Sequence, residues 1–176
     1  KNFFNINKKW IFLALSFVVA SYLINVWPII FLVLFCILNV VLLIYDRYVE
    51  VPLDFELSTF SAFIMALKFG IVWGILAGVI TKIAVILSNK DFNRNSLISI
   101  ASYALAAVFA SVFHSLPLLV SGIIVIILVN LFTILAMRFV MFVSGYEIAM
   151  FTISNIIFNI IIFMGFAEIV FKLIPF

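Results

Sequence analysis

Long apolar segments without a single charged side chain constrain the fold of this chain more than any other feature of its sequence. Residues 10–45, for example, contain no Asp, Glu, Lys or Arg. Hydrophobic residues make up 68% of the sequence and charged residues 10%, whereas soluble domains have roughly 45–50% and 25%. Too few polar side chains remain to cover a globule in water. We therefore expect an integral membrane protein whose surface is solvated mostly by the lipid bilayer.

The unbroken apolar runs also indicate an all-α fold. Membrane β-strands would appear as segments of about 10 residues that alternate apolar and polar positions. A spanning helix needs about 20 mostly apolar residues, so we predict a polytopic helical bundle of about six spans in one transmembrane domain, residues 1–176. The predicted spans have these approximate bounds: Trp10–Val26, Pro28–Tyr45, Thr59–Ser88, Ser96–His114, Leu118–Val143 and Tyr146–Leu173.

The third predicted span, residues 59–88, is long for a single crossing. At 1.5 Å per residue a straight helix of this length would reach about 45 Å, against about 30 Å of hydrocarbon. Two interpretations are open. The segment is either one tilted helix or two shorter helices broken near Gly70, which would raise the number of helical segments to seven.

The positions of lysine and arginine predict the orientation. Three lysines among residues 1–9 place the N-terminus in the cytoplasm, and Arg47 follows on the same side. Lys90 and Arg94 join them if the third span is broken and lie opposite if it is one helix, so the positive-inside rule favours the break. We expect a multi-pass protein of the plasma membrane. The basic residues form no run that could follow a phosphate backbone, so no nucleic acid partner is predicted.

Small residues recur at every fourth position of the third predicted span. Close approach of helix backbones supplies much of the packing energy between membrane helices, and it requires small side chains. The ladder indicates either packing inside the bundle or a docking groove for another membrane subunit. Its members are Ala62, Ala66, Gly70, Gly74 and Gly78.

The most polar stretch is residues 46–56 (DRYVEVPLDFE), which holds four of the seven acidic residues. Asp54 and Glu56 at its end are candidate ligand-binding residues. A lysine at the bilayer centre costs about 2.5–3.5 kcal/mol on insertion scales. We therefore expect Lys68 either at the membrane interface or in a ligand site or ion pair, and Lys82 to extend to the interface.

The last predicted span carries two amides, Asn155 and Asn159, one helical turn apart on one face. Amides in membrane helices usually form hydrogen bonds to neighbouring helices. The alternative is that these amides and Glu147 line a substrate cavity together with the polar loop. Both interpretations are open, and all three residues are candidate ligand-binding residues.

The chain offers no recognisable catalytic chemistry. His114 has no Cys or carboxylate at metal-ligand spacing, and neither a Ser-His-Asp arrangement nor a phosphate-binding glycine loop is present. We predict no catalytic residue, no metal site and no cofactor. An enzyme acting on lipids would have to draw on the acidic residues of the stretch 46–56.

The glycine-bearing segment 70–78 (GIVWGILAG), followed by the polar helix end 88–91 (SNKD), resembles a helix shared by two related groups of small membrane proteins. One group is the substrate-binding S components of energy-coupling-factor (ECF) vitamin transporters. The other is the rod-shape protein MreD, whose fold is S-component-like. The turn at Trp27-Pro28 is similar to that between the first two spans of MreD, and the final helix with Asn155 and Asn159 is similar to that of both groups.

This resemblance implies about six spans, an S-component-like bundle and partner subunits in the membrane. S components dock through small residues of their first helix, and Ser16 and Ala20 have the matching spacing here. The first functional hypothesis is a subunit that binds a small molecule and works with transporter partners. The second is a non-transporting, MreD-like scaffold or accessory subunit that docks through the small-residue ladder.

Overall fold

A computed structural model describes residues 26–46, 55–90, 92 and 94–175. Over these residues the chain is all-α, which confirms the predicted class for the described part. The predicted first span and the loop 47–54 lie outside it. The helices are α1 (Trp27–Asp46), α2 (Ser58–Phe69), α3 (Ile71–Asn89), α4 (Arg94–Val112), α5 (Leu118–Phe139) and α6 (Gly145–Leu173).

Four of these helices, α3 to α6, are long and apolar enough to cross a membrane. Their outward faces carry large apolar side chains, such as Leu87, Ile127 and Ile161, which are more than half exposed. In water such surfaces would be unfavourable, whereas lipid solvates them. The described bundle is therefore that of an integral membrane protein, while the total of about six spans stays a prediction.

Of the two interpretations of residues 59–88, the break at Gly70 is the one present, so this segment forms two helices. Gly70 has φ 93° and ψ 164°, a conformation that side chains with a Cβ rarely adopt. The chain reverses direction there, and α2 runs back along α3. With 12 residues, α2 is about 18 Å long and does not cross about 30 Å of hydrocarbon.

The reversal depends on small side chains at the contact between α2, α3 and α4. A Cβ added at Gly74 would lie 2.5 Å from the Cβ of Ala66 and 2.8 Å from that of Ala107. At Gly78 it would lie 2.6 Å from the carbonyl oxygen of Tyr103. Because the helices approach this closely, α2 is buried on all sides from Ser58 to Ala66.

Successive helices run antiparallel, so their ends collect at two opposite ends of the bundle. The first, named here the Lys90 end, holds the last turns of α1, α3 and α5 and the first turns of α4 and α6, with Lys90, Arg138 and Glu147. The second, the His114 end, holds the opposite termini, with His114 and Lys172. The break at Gly70 thus puts the end of α3 at the same end as the end of α1.

Buried polar side chains concentrate in the half of the bundle nearest the Lys90 end, named here the polar half. Among the described residues, Ser121 near the start of α5 is the exception, and its hydroxyl donates to the carbonyl of Leu118. Each described helix contributes to the polar half, for example with Asn39, Ser58, Thr81, Ser102, Thr133 and Asn155. The remaining part, the apolar half, is filled by residues such as Phe63, Met65, Ala107, Ala110, Ile126 and Phe163.

Candidate functional site

A buried ion pair between Glu56 and Lys82 lies in the polar half. Glu56 stands two residues before the start of α2, and Lys82 lies on α3. Because α2 folds back along α3, the Nζ of Lys82 reaches and donates to Oε1 of Glu56. The two side chains, of Lys82 and Glu56, are 11% and 4% exposed, respectively. Lys82 lies seven positions before Asn89, the end of α3, which puts the pair about 10 Å inside the Lys90 end.

A directed chain of hydrogen bonds holds the Glu56 carboxylate. The Oδ1 of Asn39 accepts from the backbone N–H of Leu57 at 2.7 Å, which fixes the orientation of the amide. The Nδ2 of Asn39 then donates to the Oγ of Ser58 at 3.0 Å. Ser58 in turn donates to Oε2 of Glu56 at 3.5 Å. The Leu57 N–H thus orients Asn39, Asn39 donates to Ser58, and Ser58 donates to the carboxylate.

Three hydroxyl groups, those of Ser58, Ser61 and Thr81, form a cluster beside the carboxylate, named here the hydroxyl cluster. The Oγ1 of Thr81 lies 3.1 Å from the Oγ of Ser58 and 3.5 Å from that of Ser61. Thr81 also donates to the carbonyl of Ala77 at 2.6 Å. Ser61 donates to the carbonyl of Ser58 at 3.0 Å, so these hydroxyls are hydrogen-bonded within the bundle.

A second polar group, the amide cluster, joins α5 to α6. The Nδ2 of Asn130 donates to the Oδ1 of Asn155 at 2.9 Å, and the Nδ2 of Asn159 donates to the carbonyl of Asn155 at 3.0 Å. Within the described part of the chain, the Oδ1 of Asn159 and the Oγ1 of Thr152 are buried and have no hydrogen-bond partner. The amides thus connect helices and leave two polar atoms without partners among the described residues.

The two polar groups lie at a similar depth in the bundle. The ring of Phe55 contacts that of Phe158 at 5.6 Å between centroids, and Phe60 contacts Phe163 at 5.1 Å. Both contacts show that the segment 55–60 runs in the same direction as α6. Asn159, the residue after Phe158, is therefore level with Glu56.

The candidate ligand-binding residues do not all come together. Glu56 lies in the ion pair, and Asn155 and Asn159 lie at a similar depth in the amide cluster. Lys68 is at the other end of α2, with its Nζ 4.1 Å from the ring centroid of Phe171. Glu147 is exposed in the first turn of α6, where its N–H donates to the Oγ of Ser144. Asp54 lies outside the described residues.

The small residues predicted to pack helices or dock a partner also lie in different places. Ala66, Gly74 and Gly78 pack within the bundle against α2, α3 and α4, and their faces are not available for another subunit. Gly70 is exposed at the turn, where an added Cβ would have nothing within 4 Å. Ser16 and Ala20 lie outside the described residues.

Sequence reasoning missed most of the partners in the ion-pair network. The expectation that Lys82 extends to the interface is wrong, because its ammonium is buried against Glu56. Ser58 and Thr81 carry no local signal that separates them from other hydroxyls on apolar helices. Asn39 does carry a local signal, because it is the only amide in its predicted span. An amide without a hydrogen-bond partner in a membrane helix would be costly.

Cavities flank the described part of the bundle, and two of them lie near candidate residues. One of about 270 Å³ is lined by Phe55, Met150, Ile153, Ser154 and Ile157, and it borders the polar half at the residue preceding Glu56. The other, of about 320 Å³, is at the His114 end beside Gly70 and His114. The first is lined mostly by apolar side chains of α6.

No protein-family model, curated protein or solved structure matches this chain. The likeness to S components and to MreD therefore stays a prediction from the sequence.

Proposed function

We propose that this chain is a membrane-embedded subunit that binds a small polar solute in its polar half and works with partner subunits. The observation that carries this proposal is the buried ion pair of Glu56 and Lys82. The hydrogen bonds that run from Asn39 through Ser58 to Glu56, together with the hydroxyl cluster, support this pair. Replacing a buried ion pair with apolar residues is often neutral or stabilising. Ionisable residues within a membrane bundle therefore suggest a functional site.

The short helix α2 supports the same function. Its start lies inside the bundle, and the ion pair and two hydroxyls of the cluster are at that start. Membrane transporters commonly build substrate sites from discontinuous helices whose ends lie within the membrane. The sequence resemblance to S components implies the same class of function and the same need for partner subunits.

The alternative, an MreD-like scaffold, would use the small-residue ladder as a docking surface. Gly74 and Gly78 are instead covered by α2 and α4, so the ladder contributes to packing within one chain. A scaffold would have to dock through another surface. We therefore favour solute binding over the scaffold.

We also propose that the Lys90 end faces the cytoplasm of a plasma membrane. Lys90, the start of α4 at Arg94, and Arg138 belong to this end, and basic residues accumulate on the cytoplasmic side of membrane proteins. Cysteines introduced at Lys90 and at His114 would test this orientation. A membrane-impermeant thiol reagent added to intact cells should label the His114 position and leave the Lys90 position unlabelled.

Native mass spectrometry of the gently purified protein tests solute binding. The double variant Glu56→Gln/Lys82→Met removes both charges of the buried pair. Glu168→Gln/Lys172→Met is the matched control, because that pair is exposed on α6 with a separation of 3.7 Å. We expect a bound small molecule in the natural protein and the control, and none in the buried-pair variant. Retention of the molecule by the buried-pair variant would contradict the proposal.

A further inference from the structure

The last turn of α5 carries an arginine, Arg138, that no carboxylate of the described residues neutralises. Its side chain is exposed. The nearest acidic residue along the chain is Glu147, which is exposed in the first turn of α6 and forms no ion pair with Arg138. The guanidinium is therefore available to an anionic group outside the described bundle.

Arg138 shares a face of α5 with large apolar side chains. Leu131 and Leu135 precede it by seven and three positions, a spacing that puts all three residues on one side of a helix. Both leucines are about half exposed and belong to the outward surface that lipid solvates. With 22 residues, α5 is about 33 Å long, which matches a hydrocarbon thickness of about 30 Å. Arg138 thus lies where the hydrocarbon meets the lipid headgroups.

The turn that follows α5 holds Phe142 in a backbone conformation that bulky side chains rarely adopt. Its φ is 55°, in the left-handed region, and the N–H of Val143 fixes the turn by donating to the carbonyl of Met137 at 3.1 Å. The Phe142 side chain is 84% exposed, so packing within the bundle does little to offset this strain. Tyr146, at the start of α6, is exposed as well. Backbone strain that the fold does not require suggests a functional contact, here with something outside the chain.

We propose that the turn between α5 and α6 is a phospholipid-binding site in which Arg138 binds the lipid phosphate. The planar guanidinium presents N–H donors in a fork that matches phosphate geometry, and such charge-assisted pairs are strong. The acyl chains lie along Leu131 and Leu135, while Phe142 and Tyr146 enter the headgroup layer, where aromatic rings accumulate. A lipid fits better than a protein partner because this face continues the lipid-solvated surface of α5 without interruption.

Native mass spectrometry of the detergent-solubilised protein, titrated with phosphatidylglycerol, tests the proposal. Arg138→Gln should weaken binding of the first lipid roughly tenfold, as expected for the loss of hydrogen bonds to a charged group. Lys90→Gln is the matched control, because it removes the same charge at the same end of the bundle, and it should bind lipid as the natural protein does. Equal weakening by both variants, or none by Arg138→Gln, would overturn the site. Binding of inorganic phosphate that equally depends on Arg138 would overturn the lipid as its ligand.

The depth of the turn in a bilayer provides a second measurement. A spin label on Phe142→Cys, in a Cys36→Ala background that removes the free thiol of α1, would be examined in nanodiscs containing phosphatidylglycerol. We expect it to collide with oxygen more often than a label in water does, and less often than a label on Leu131→Cys. Full access of the Phe142→Cys label to a water-soluble nickel reagent would contradict the proposal. Protection of the label from both reagents would show that protein covers the turn, which would also overturn it.

Discussion

In the apolar half, helices meet through small residues and aromatic rings, whereas in the polar half the same helices meet through hydrogen bonds and an ion pair. Phe63 and Phe163 of the apolar half pack edge to face with centroids 5.0 Å apart. Nearer the Lys90 end, Asn39 connects α1 to α2, and Asn130 connects α5 to α6. Both halves are closely packed, but they achieve this with different chemistry.

The difference suggests that the two halves of the bundle serve different roles. Close contacts between Gly74, Gly78 and their neighbours require no polar group and contribute packing energy between α2, α3 and α4. Polar contacts in the other half add specificity at the cost of desolvating charges. If stability were the sole requirement, the polar half could be built as the apolar half is. The predictions below test that conclusion, from the largest expected effect to the smallest.

Removing one charge of the buried pair should have the largest effect on stability. Lys82→Met leaves Glu56 buried without its cationic partner, which we expect to cost about 3–5 kcal/mol of unfolding free energy. The double variant Glu56→Gln/Lys82→Met removes both charges and should recover most of that loss. Denaturation in detergent would measure both. Equal destabilisation by the single and double variants would show that the ion pair is required for stability.

Enlarging a contact in the apolar half should have the next largest effect. Gly74→Val places a side chain against Ala66 and Ala107, and we expect a loss of about 1–3 kcal/mol from overpacking. Gly165→Ala on α6 is the matched control, because nothing lies within 4 Å of its Cβ position. It should be neutral or slightly stabilising. A tolerated Gly74→Val would mean that α2 and α3 separate easily.

Breaking the amide cluster should have a smaller effect. Asn130→Leu removes the donor to Asn155 and should cost about 0.5–2 kcal/mol, the range for hydrogen bonds between membrane helices. The replacement has a similar volume, so the loss reports mainly the polar contact. Thermal unfolding of the variant, compared with Leu131→Ala on the exposed face of α5, measures it. A change no larger than that of the surface variant would contradict this role.

Neutralising the exposed ion pair of α6 should have the smallest effect. Glu168 and Lys172 have side chains 62% and 79% exposed, and exposed pairs contribute little to stability. Glu168→Gln/Lys172→Met should therefore leave the unfolding temperature unchanged. The same measurement on the buried pair gives the contrast. A clear fall in the unfolding temperature of this variant would indicate that the exposed ion pair stabilises α6 at the His114 end.

The sequence predicted the class of the fold because that class follows from composition and from the length of the apolar runs. For residues 59–88 it left one tilted helix and two shorter helices open and favoured the break near Gly70, where glycine permits the unusual backbone conformation. The reversal itself has no local signal. In a continuous helix, the 26 positions between Glu56 and Lys82 would separate them by about 39 Å.

The candidate site was predicted less completely for the same reason. Glu56 stands out by its charge in a polar stretch, and Asn155 and Asn159 by their helical spacing. Asn39, Ser58 and Thr81 become partners only when α2 folds back against both α1 and α3. Which hydroxyls meet depends on how helices pack, and no residue in isolation encodes that.

The half-length helix α2 also bears on how the protein is made. A segment of 12 residues is too short to be retained in a bilayer by itself, and α3 alone would carry an uncompensated Lys82 into lipid. Entering as one hairpin through the turn at Gly70, the two segments bring Glu56 and Lys82 in together as a neutral pair. We therefore expect the membrane-insertion machinery to handle residues 56–89 as a single unit during biogenesis.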